Sequence, residues 1–271
     1  MFRPPAFASP GSTGRKMALT LTQIPGIPLI RPGDSLSTLL IQALSDQSMD
    51  LQNGDIIVLA QKIVSKSENR LVNLTTIEPG DQARDLALVV EKDPRFIELV
   101  LRESRAVLRT RADTIIVEHN CGFICANAGI DHSNVQGLWG NPEDWVLLLP
   151  EQPDRSAQCI RQELEAWSGA RIGVLIIDSH GRAWRNGAIG MTIGLSGMPG
   201  LVDLRGVTDL FGYNLRVTQV AAADELAAAA SLMMGQAAEA TPVVHVRGFP
   251  YPLREGSLQE LIRSAEMDMF R

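Results

Sequence analysis

Aromatic residues are scarce: Phe, Trp and Tyr together make up 5% of the 271 residues. A basic excess is missing too, since 25 Lys and Arg face 31 Asp and Glu for a formal charge of −6. Both shortages speak against a general nucleic-acid binder, which needs a basic face or stacking platforms. A small phosphorylated ligand asks only for a local basic pocket. Cysteines number three (Cys121, Cys125, Cys159), an odd count without paired CxxC motifs, so core thiols in a reducing cytoplasm are expected. The four histidines show neither HxxxH nor HExxH spacing, which argues against zinc. No apolar run approaches the ~20 residues of a membrane span. Residues 1–16 carry three prolines and no signal-type hydrophobic stretch; residues 1–17 read as a disordered tail. Neither GxxxxGK[ST] nor a strand-linked GxGxxG occurs, so a P-loop and a Rossmann fingerprint are both excluded.

What is present is an ordinary globular composition, 45% apolar and 21% charged, in which strands and helices alternate without repeats. The expected class is α/β with mixed α+β sheets. Its length suggests two subdomains, here drawn as about 18–105 with 207–271 and about 106–206. Strands are expected over 19–24, 55–60, 114–118, 122–126, 146–150, 172–177, 215–220 and 243–247. Helices are expected from Ser35 to Ala43, with Asp34 or Ser35 as N-cap, and over 79–92 and 94–104, each with a proline in its first turn. Further helices span 154–167, 223–234 and 257 onward, and Gly235 is placed to end the fifth. Six glycines within 187–206 imply short strands and close backbone approaches.

Two segments hold the chemistry. In Asn127-Ala-Gly-Ile-Asp131-His-Ser-Asn134-Val, a strand empties into a loop with a carboxylate and, three residues on, an amide. In Ile176-Ile177-Asp178-Ser179 an apolar strand terminates in a carboxylate and a hydroxyl. Open α/β sheets bind ligands beyond the carboxyl ends of their strands, and Asp, Ser and Asn are hard oxygen donors suited to Mg²⁺ or Mn²⁺. The same aspartates equally suit turn or helix capping. Lys66, at the end of a strand–turn segment, suits either a nucleotide phosphate or solvent. Arg109, Arg111, Arg182 and Arg185 could pair with phosphates or carboxylates, but taken singly each reads first as a surface charge or salt-bridge partner.

Taken in order, Ile24-Pro-Gly-Ile-Pro-Leu-Ile30, Val64-Ser-Lys66, Asn127 to Val135, Leu148-Leu-Pro150, Ile177-Asp-Ser-His-Gly-Arg182, Asp224-Glu225 and Leu232-Met-Met-Gly235 resemble the coenzyme F-420:L-glutamate ligase family. The similarity runs from about residue 22 to about 268. It implies a GTP-dependent ligase that joins L-glutamate, then further γ-linked glutamates, to the F-420 precursor through an acyl phosphate. GTP, two divalent cations (Mg²⁺ or Mn²⁺) and K⁺ are implied, as is a cytoplasmic homodimer with its active site near the subunit interface.

By motif, Ile24, Pro25, Gly26 and Ile27 would lie along the GTP. Lys66 and Asn134 would contact it, and so would Gln61 and Lys62, which stand where relatives often carry Ser-Thr or Thr-Ser. The stretch Leu232, Met233, Met234, Gly235, Gln236, Ala237, Ala238 and Glu239 would close the nucleotide site. Asp131, Asp178, Ser179 and Gln236 would hold the metals, with Asp131, Asp178 and Lys66 central to catalysis. Arg182 and Arg185 would meet the precursor's phosphodiester or glutamate. Asn69 replaces a usual glycine, which Asn tolerates at positive φ, and Ala237-Ala238 replace a Gly-rich continuation. These departures leave two alternatives open: the same site acting on another acceptor acid, and a non-catalytic nucleotide-binding relative.

Overall fold

The computed structural model describes residues 18–269; the expected N-terminal tail, 1–17, lies outside them. Its centre is a five-stranded sheet. In sheet order, the strands are β1 (Thr20–Gln23), β12 (Val243–Arg247), β2 (Ile56–Ala60), β8 (Gly173–Arg182) and β9 (Arg185–Ser196). Only β2 and β8 run parallel, with Ile56 opposite Gly173 and Ala60 opposite Ile177. Ile56, Ile57, Val58 and Leu59 are all fully buried, because both faces of this sheet are covered; that is why β2 reads as a continuous apolar run.

One face carries α1 (Leu36–Asp46) and α5 (Pro153–Ser168), and the other carries α6 (Ala222–Met234). Ser35 caps α1 by accepting the Thr38 N–H, and Gly169 ends α5 at φ 70°. Two glycines of β9 set how closely these layers approach. A Cβ on Gly190 would lie 2.5 Å from the Ala227 carbonyl oxygen of α6, and one on Gly194 would lie 2.5 Å from Pro153 of α5.

A second hydrophobic cluster packs α3 (Asp81–Val90) and α4 (Pro94–Arg102) against a sheet of β4 (Ser104–Arg111), β5 (Thr114–His119) and β6 (Ile124–Ala126). Short β3 (Leu71–Asn73) pairs with β7 (Trp145–Leu147), and β10 (Val202–Asp203) with β11 (Gln219–Val220). No helix among the described residues is long and apolar enough to cross a membrane.

The mixed α/β class is as expected, and Asn69 does adopt positive φ, at 57°. Several local readings are corrected. Lys62 to Lys66 is no strand–turn segment but part of helix α2 (Gln61–Ser67), which follows β2 without a break. The strand of Ile172 to Ile177 does not end at Asp178, because β9 goes on pairing with it as far as Arg182. The glycine-rich stretch accordingly holds most of one long strand, β9, followed by the two-residue β10, and its close approaches are as expected. Pro79 lies ahead of α3, whose N-cap is Gly80. Among the described residues no α-helix follows Ser257; short 3-10 turns form at Leu258–Glu260 and Ala265–Met267. Cys125 is buried, but Cys159 is exposed on α5 and Cys121 is half-buried, so the thiols are not uniformly core residues.

Candidate active site

The parallel ladder stops at Ala60 and Ile177, and the next residue of each chain is functional in type: Gln61 on one side, Asp178 on the other. This carboxyl edge opens into a cavity of about 490 Å³. Three other segments close around it. Asp131 is pinned there by a two-way backbone pairing with Leu147. Lys62 and Lys66, four residues apart on α2, face it together, and the loop after α6 lines it from Gly235 to Ala240.

Asp131 accepts from Gln61 Nε2 at 2.6 Å and forms an ion pair with Lys62. Burial pushes its carboxyl above the usual range; the Lys62 ammonium opposes that and the Asp178 charge adds to it. Burial also acts to raise Asp178, but the His180 imidazole, the Ser179 backbone and Lys62 outweigh it and hold this carboxyl below the usual range. His180 Nε2 lies 3.0 Å from Asp178 Oδ2 without the alignment of a hydrogen bond. Lys66 is held below its ordinary value by burial and by Lys62, against the pull of Asp131. Its Nζ donates to the Asn134 carbonyl at 2.7 Å, and the Asn134 amide donates to the Ala237 carbonyl at 2.9 Å.

Ser179 Oγ and Gln236 Oε1 are 2.8 Å apart, and Gln236 Nε2 donates to Ser231 Oγ. Four oxygen donors (Asp131, Asp178, Ser179, Gln236) therefore line one cavity, two of them mutually repelling carboxylates. That donor set fits a hard divalent cation. Among the described residues, no three His, Cys, Asp or Glu side chains gather into a metal-holding cluster; here the neutral hydroxyl and amide complete the set.

Residues 26–248 match the family model of F420-0:gamma-glutamyl ligase. The chain belongs to the F420-0:gamma-glutamyl ligase family. It is 44% identical over 257 residues to the coenzyme F420:L-glutamate ligase of Methanothermobacter thermautotrophicus, covering 94% of this chain and 100% of that protein. Identity to the ligase of that name from Methanopyrus kandleri is 43%, over 93% and 99% of the two chains. For Archaeoglobus fulgidus it is 37%, over 94% and 97%.

The cavity of this family member gathers Gln61, Lys62, Lys66, Asp131, Asn134, Asp178, Ser179, Met234, Gly235, Gln236, Ala237, Ala238 and Glu239. Other expected nucleotide contacts do not line it. Ile24 is wholly enclosed in the core and its N–H is taken by the Val243 carbonyl. Pro25 and Gly26 are exposed outside the cavity, and Ile27 packs on the core cluster. From that segment it is Leu29 that reaches the cavity. Leu232 points outward on α6 at 87% exposure, and Met233 packs against the core beneath it. Sequence reasoning missed Leu29, Ser133, Ser231 and the contact of His180 with Asp178. Ser231 carries a detectable signal, since it sits one helical turn before Gly235 on the buried side of α6.

Proposed function

We propose that the protein is a GTP-dependent ligase that joins L-glutamate to the coenzyme F-420 precursor through an amide bond, with further glutamates joined through γ-carboxylates. The observation that carries this reading is the convergence of four oxygen donors and two lysines on one cavity in a chain so similar, over nearly its whole length, to proteins named as that ligase.

In this reading the acceptor's carboxylate oxygen attacks the γ-phosphorus of GTP. The bond from that phosphorus to the bridging oxygen breaks, and GDP leaves. The glutamate α-amine then attacks the acyl carbon; phosphate departs and the nitrogen gives up a proton. Chemistry of this kind asks the protein mainly for positioning and charge neutralisation. Lys62 and Lys66 bring positive charge to the phosphates, while the Asn134 and Ala237 strap holds the wall beside them. Asp131, Asp178, Ser179 and Gln236 would hold two divalent cations, whose contribution is to neutralise phosphate charge. No side chain is required as a covalent nucleophile; burial pushes the thiols of Cys121 and Cys125 up to about 11 and about 12.

K⁺ is proposed as an additional activator. We also propose a homodimer. Leu210, Phe211 and Val217, all on the one segment between β10 and β11, are 88%, 95% and 85% exposed, and apolar exposure gathered on one segment suits a protein–protein contact.

Incubation of the full chain with GTP, Mn²⁺, K⁺, L-glutamate and the precursor is expected to yield GDP and a product heavier by glutamyl units. Folded, Mn²⁺-loaded protein that forms no such product would falsify the ligase reading. GTP turnover with a different acid would point to another acceptor, and GDP binding without any turnover to a non-catalytic role.

A further inference from the structure

The continuation of β8 beyond Asp178 brings an imidazole to that carboxylate. Alternate residues of a strand share a face, and β9 keeps pairing with this stretch, Met191 opposite Asp178 and Ile189 opposite His180. His180 is therefore fixed two residues along the ladder from Asp178, and its Nε2 lies 3.0 Å from Asp178 Oδ2. The residue is 7% exposed and does not line the cavity, so it meets the carboxylate from the protein side. Nε2 has no hydrogen-bonding partner among the described residues. A buried polar nitrogen without a partner costs free energy, and here a carboxylate oxygen stands within reach.

What holds this ring is a stack that begins in the other sheet. His119, the last residue of β5, is buried, and its Nδ1 accepts the Cys121 N–H at 3.0 Å. That bond fixes the orientation of the His119 ring. Phe123 lies parallel to it, with centroids 5.0 Å apart and planes 3° apart. The His119 N–H also donates to the Phe123 carbonyl at 2.9 Å, which closes the turn between β5 and β6. Phe123 packs on two of the hydrophobic clusters, one under each sheet. His180 tilts against the same phenyl ring, at 5.3 Å and 46°. Rings at such separations favour particular mutual orientations, so the plane of the imidazole that reaches Asp178 is set by a side chain outside the central sheet.

We propose that His180 is a positioning residue for Asp178. In the tautomer with hydrogen on Nε2 it holds Oδ2 and sets the direction in which the carboxylate faces the cavity, and Phe123 is the support that fixes the imidazole plane. The contact is off-axis, so the carboxylate keeps acceptor capacity for a divalent cation. Outer partners of this kind orient a ligating carboxylate and are worth about 10–100-fold in metal affinity. Nothing in the role requires His180 to touch the cation or to change its charge. That Asp178 meets a cation rests on the ligase reading; the His180 contact and its ring support rest on geometry alone.

Full-length protein stripped of divalent ions is to be titrated with Mn²⁺, with free Mn²⁺ followed by its electron paramagnetic resonance signal, for wild type, His180→Phe, His180→Gln and Phe123→Leu. His180→Phe keeps a ring against Phe123 but loses the N–H, and is expected to weaken Mn²⁺ binding by about tenfold or more. His180→Gln offers an amide N–H again and should stay within about threefold of wild type. Phe123→Leu should lose about fivefold. Wild-type affinity in His180→Phe, or equal losses in His180→Phe and His180→Gln, overturns the role, as does a wild type that takes up no Mn²⁺. Nitrogen hyperfine coupling from a bound imidazole in pulsed spectra of the wild type also overturns it, by making His180 itself a ligand. If His180→Phe does not fold, Phe123→Leu decides: unchanged affinity there overturns the role, and a loss there with His180→Gln near wild type upholds it. The graded loss in a protein that forms no glutamyl product upholds the positioning role and removes the ligase reading. Normal glutamyl transfer by wild type, with Mn²⁺ affinity unmoved in His180→Phe, removes the positioning role and spares the ligase reading.

Discussion

Three interior aspartates lie near the two ends of β2, Asp55 ahead of it and Asp178 and Asp131 beyond its carboxyl end, and the two ends surround their carboxylates differently. Ahead of the strand, Asp55 is 1% exposed and its oxygens are saturated. They meet the Gln52 N–H at 2.8 Å, His245 Nε2 at 2.9 Å, and Arg247 at 2.9 and 2.7 Å. Beyond the strand, Asp178 has an off-axis imidazole, and Asp131 shares its cavity with two lysines and a second carboxylate. Burial tends to raise Asp55, yet Arg247, His245 and the backbone outweigh it and draw it down to about 2. Asp131 ends above the usual range. One end spends its buried charge on cohesion; the other leaves donor capacity open to a cation. A fully partnered carboxylate stabilises, whereas an under-partnered one is available for chemistry.

The largest effect expected from breaking this contrast is on activity. Asp178→Ala should lower glutamyl product formation by more than about 100-fold while the far-UV spectrum stays that of the wild type. Retained activity would contradict its role as a cation ligand.

At the other end of β2, Asp55→Ala should cost about 2–3 kcal/mol in urea unfolding. That is below the roughly 3–5 kcal/mol of a wholly buried pair, because Arg247 is partly exposed. An unfolding midpoint equal to that of wild type would show the network to be inert.

Acid should shrink that difference. The folded Asp55 value, about 2, lies under its ordinary 3.8, so its stabilisation is complete above the unfolded value and is lost as pH falls towards 2. About 2 kcal/mol should disappear over that window. The stability gap between wild type and Asp55→Asn should therefore narrow from pH 5 to pH 2, and a constant gap would exclude this linkage.

The smallest effect concerns Asp131→Asn in protein stripped of divalent ions. Since the folded environment disfavours that charge, removing it should raise stability at neutral pH slightly, by less than about 1 kcal/mol. A clear loss of stability would place Asp131 among the structural carboxylates with Asp55.

Much of the site was legible as residue types in order. Asp131, Asp178, Ser179 and Gln236 do face one cavity with Lys62, Lys66 and Asn134. Apolar periodicity located β2 and β12, and the Ser35 cap located α1. The errors cluster where long-range pairing overrides local pattern. Asp178 read as a strand end because the apolar run stops there, whereas β9 supplies partners up to Arg182. Ile24 read as a ligand contact, but pairing of β1 with β12 turns it into the core. The Asp55 network joins residues about 190 positions apart, and no local spacing signals it.

The sequence by itself determined the class of fold, the family, and the stock of hard oxygen donors and lysines, because composition, caps and periodicity are local properties of a chain. Tertiary structure alone decided which carboxylate is saturated and which is left open. It also set Lys66 on helix α2 at the cavity wall and put Leu29, rather than Ile24, beside it. A side chain's charge state and use depend on its neighbours in space, and those neighbours are chosen by strand pairing and layer packing over the whole chain.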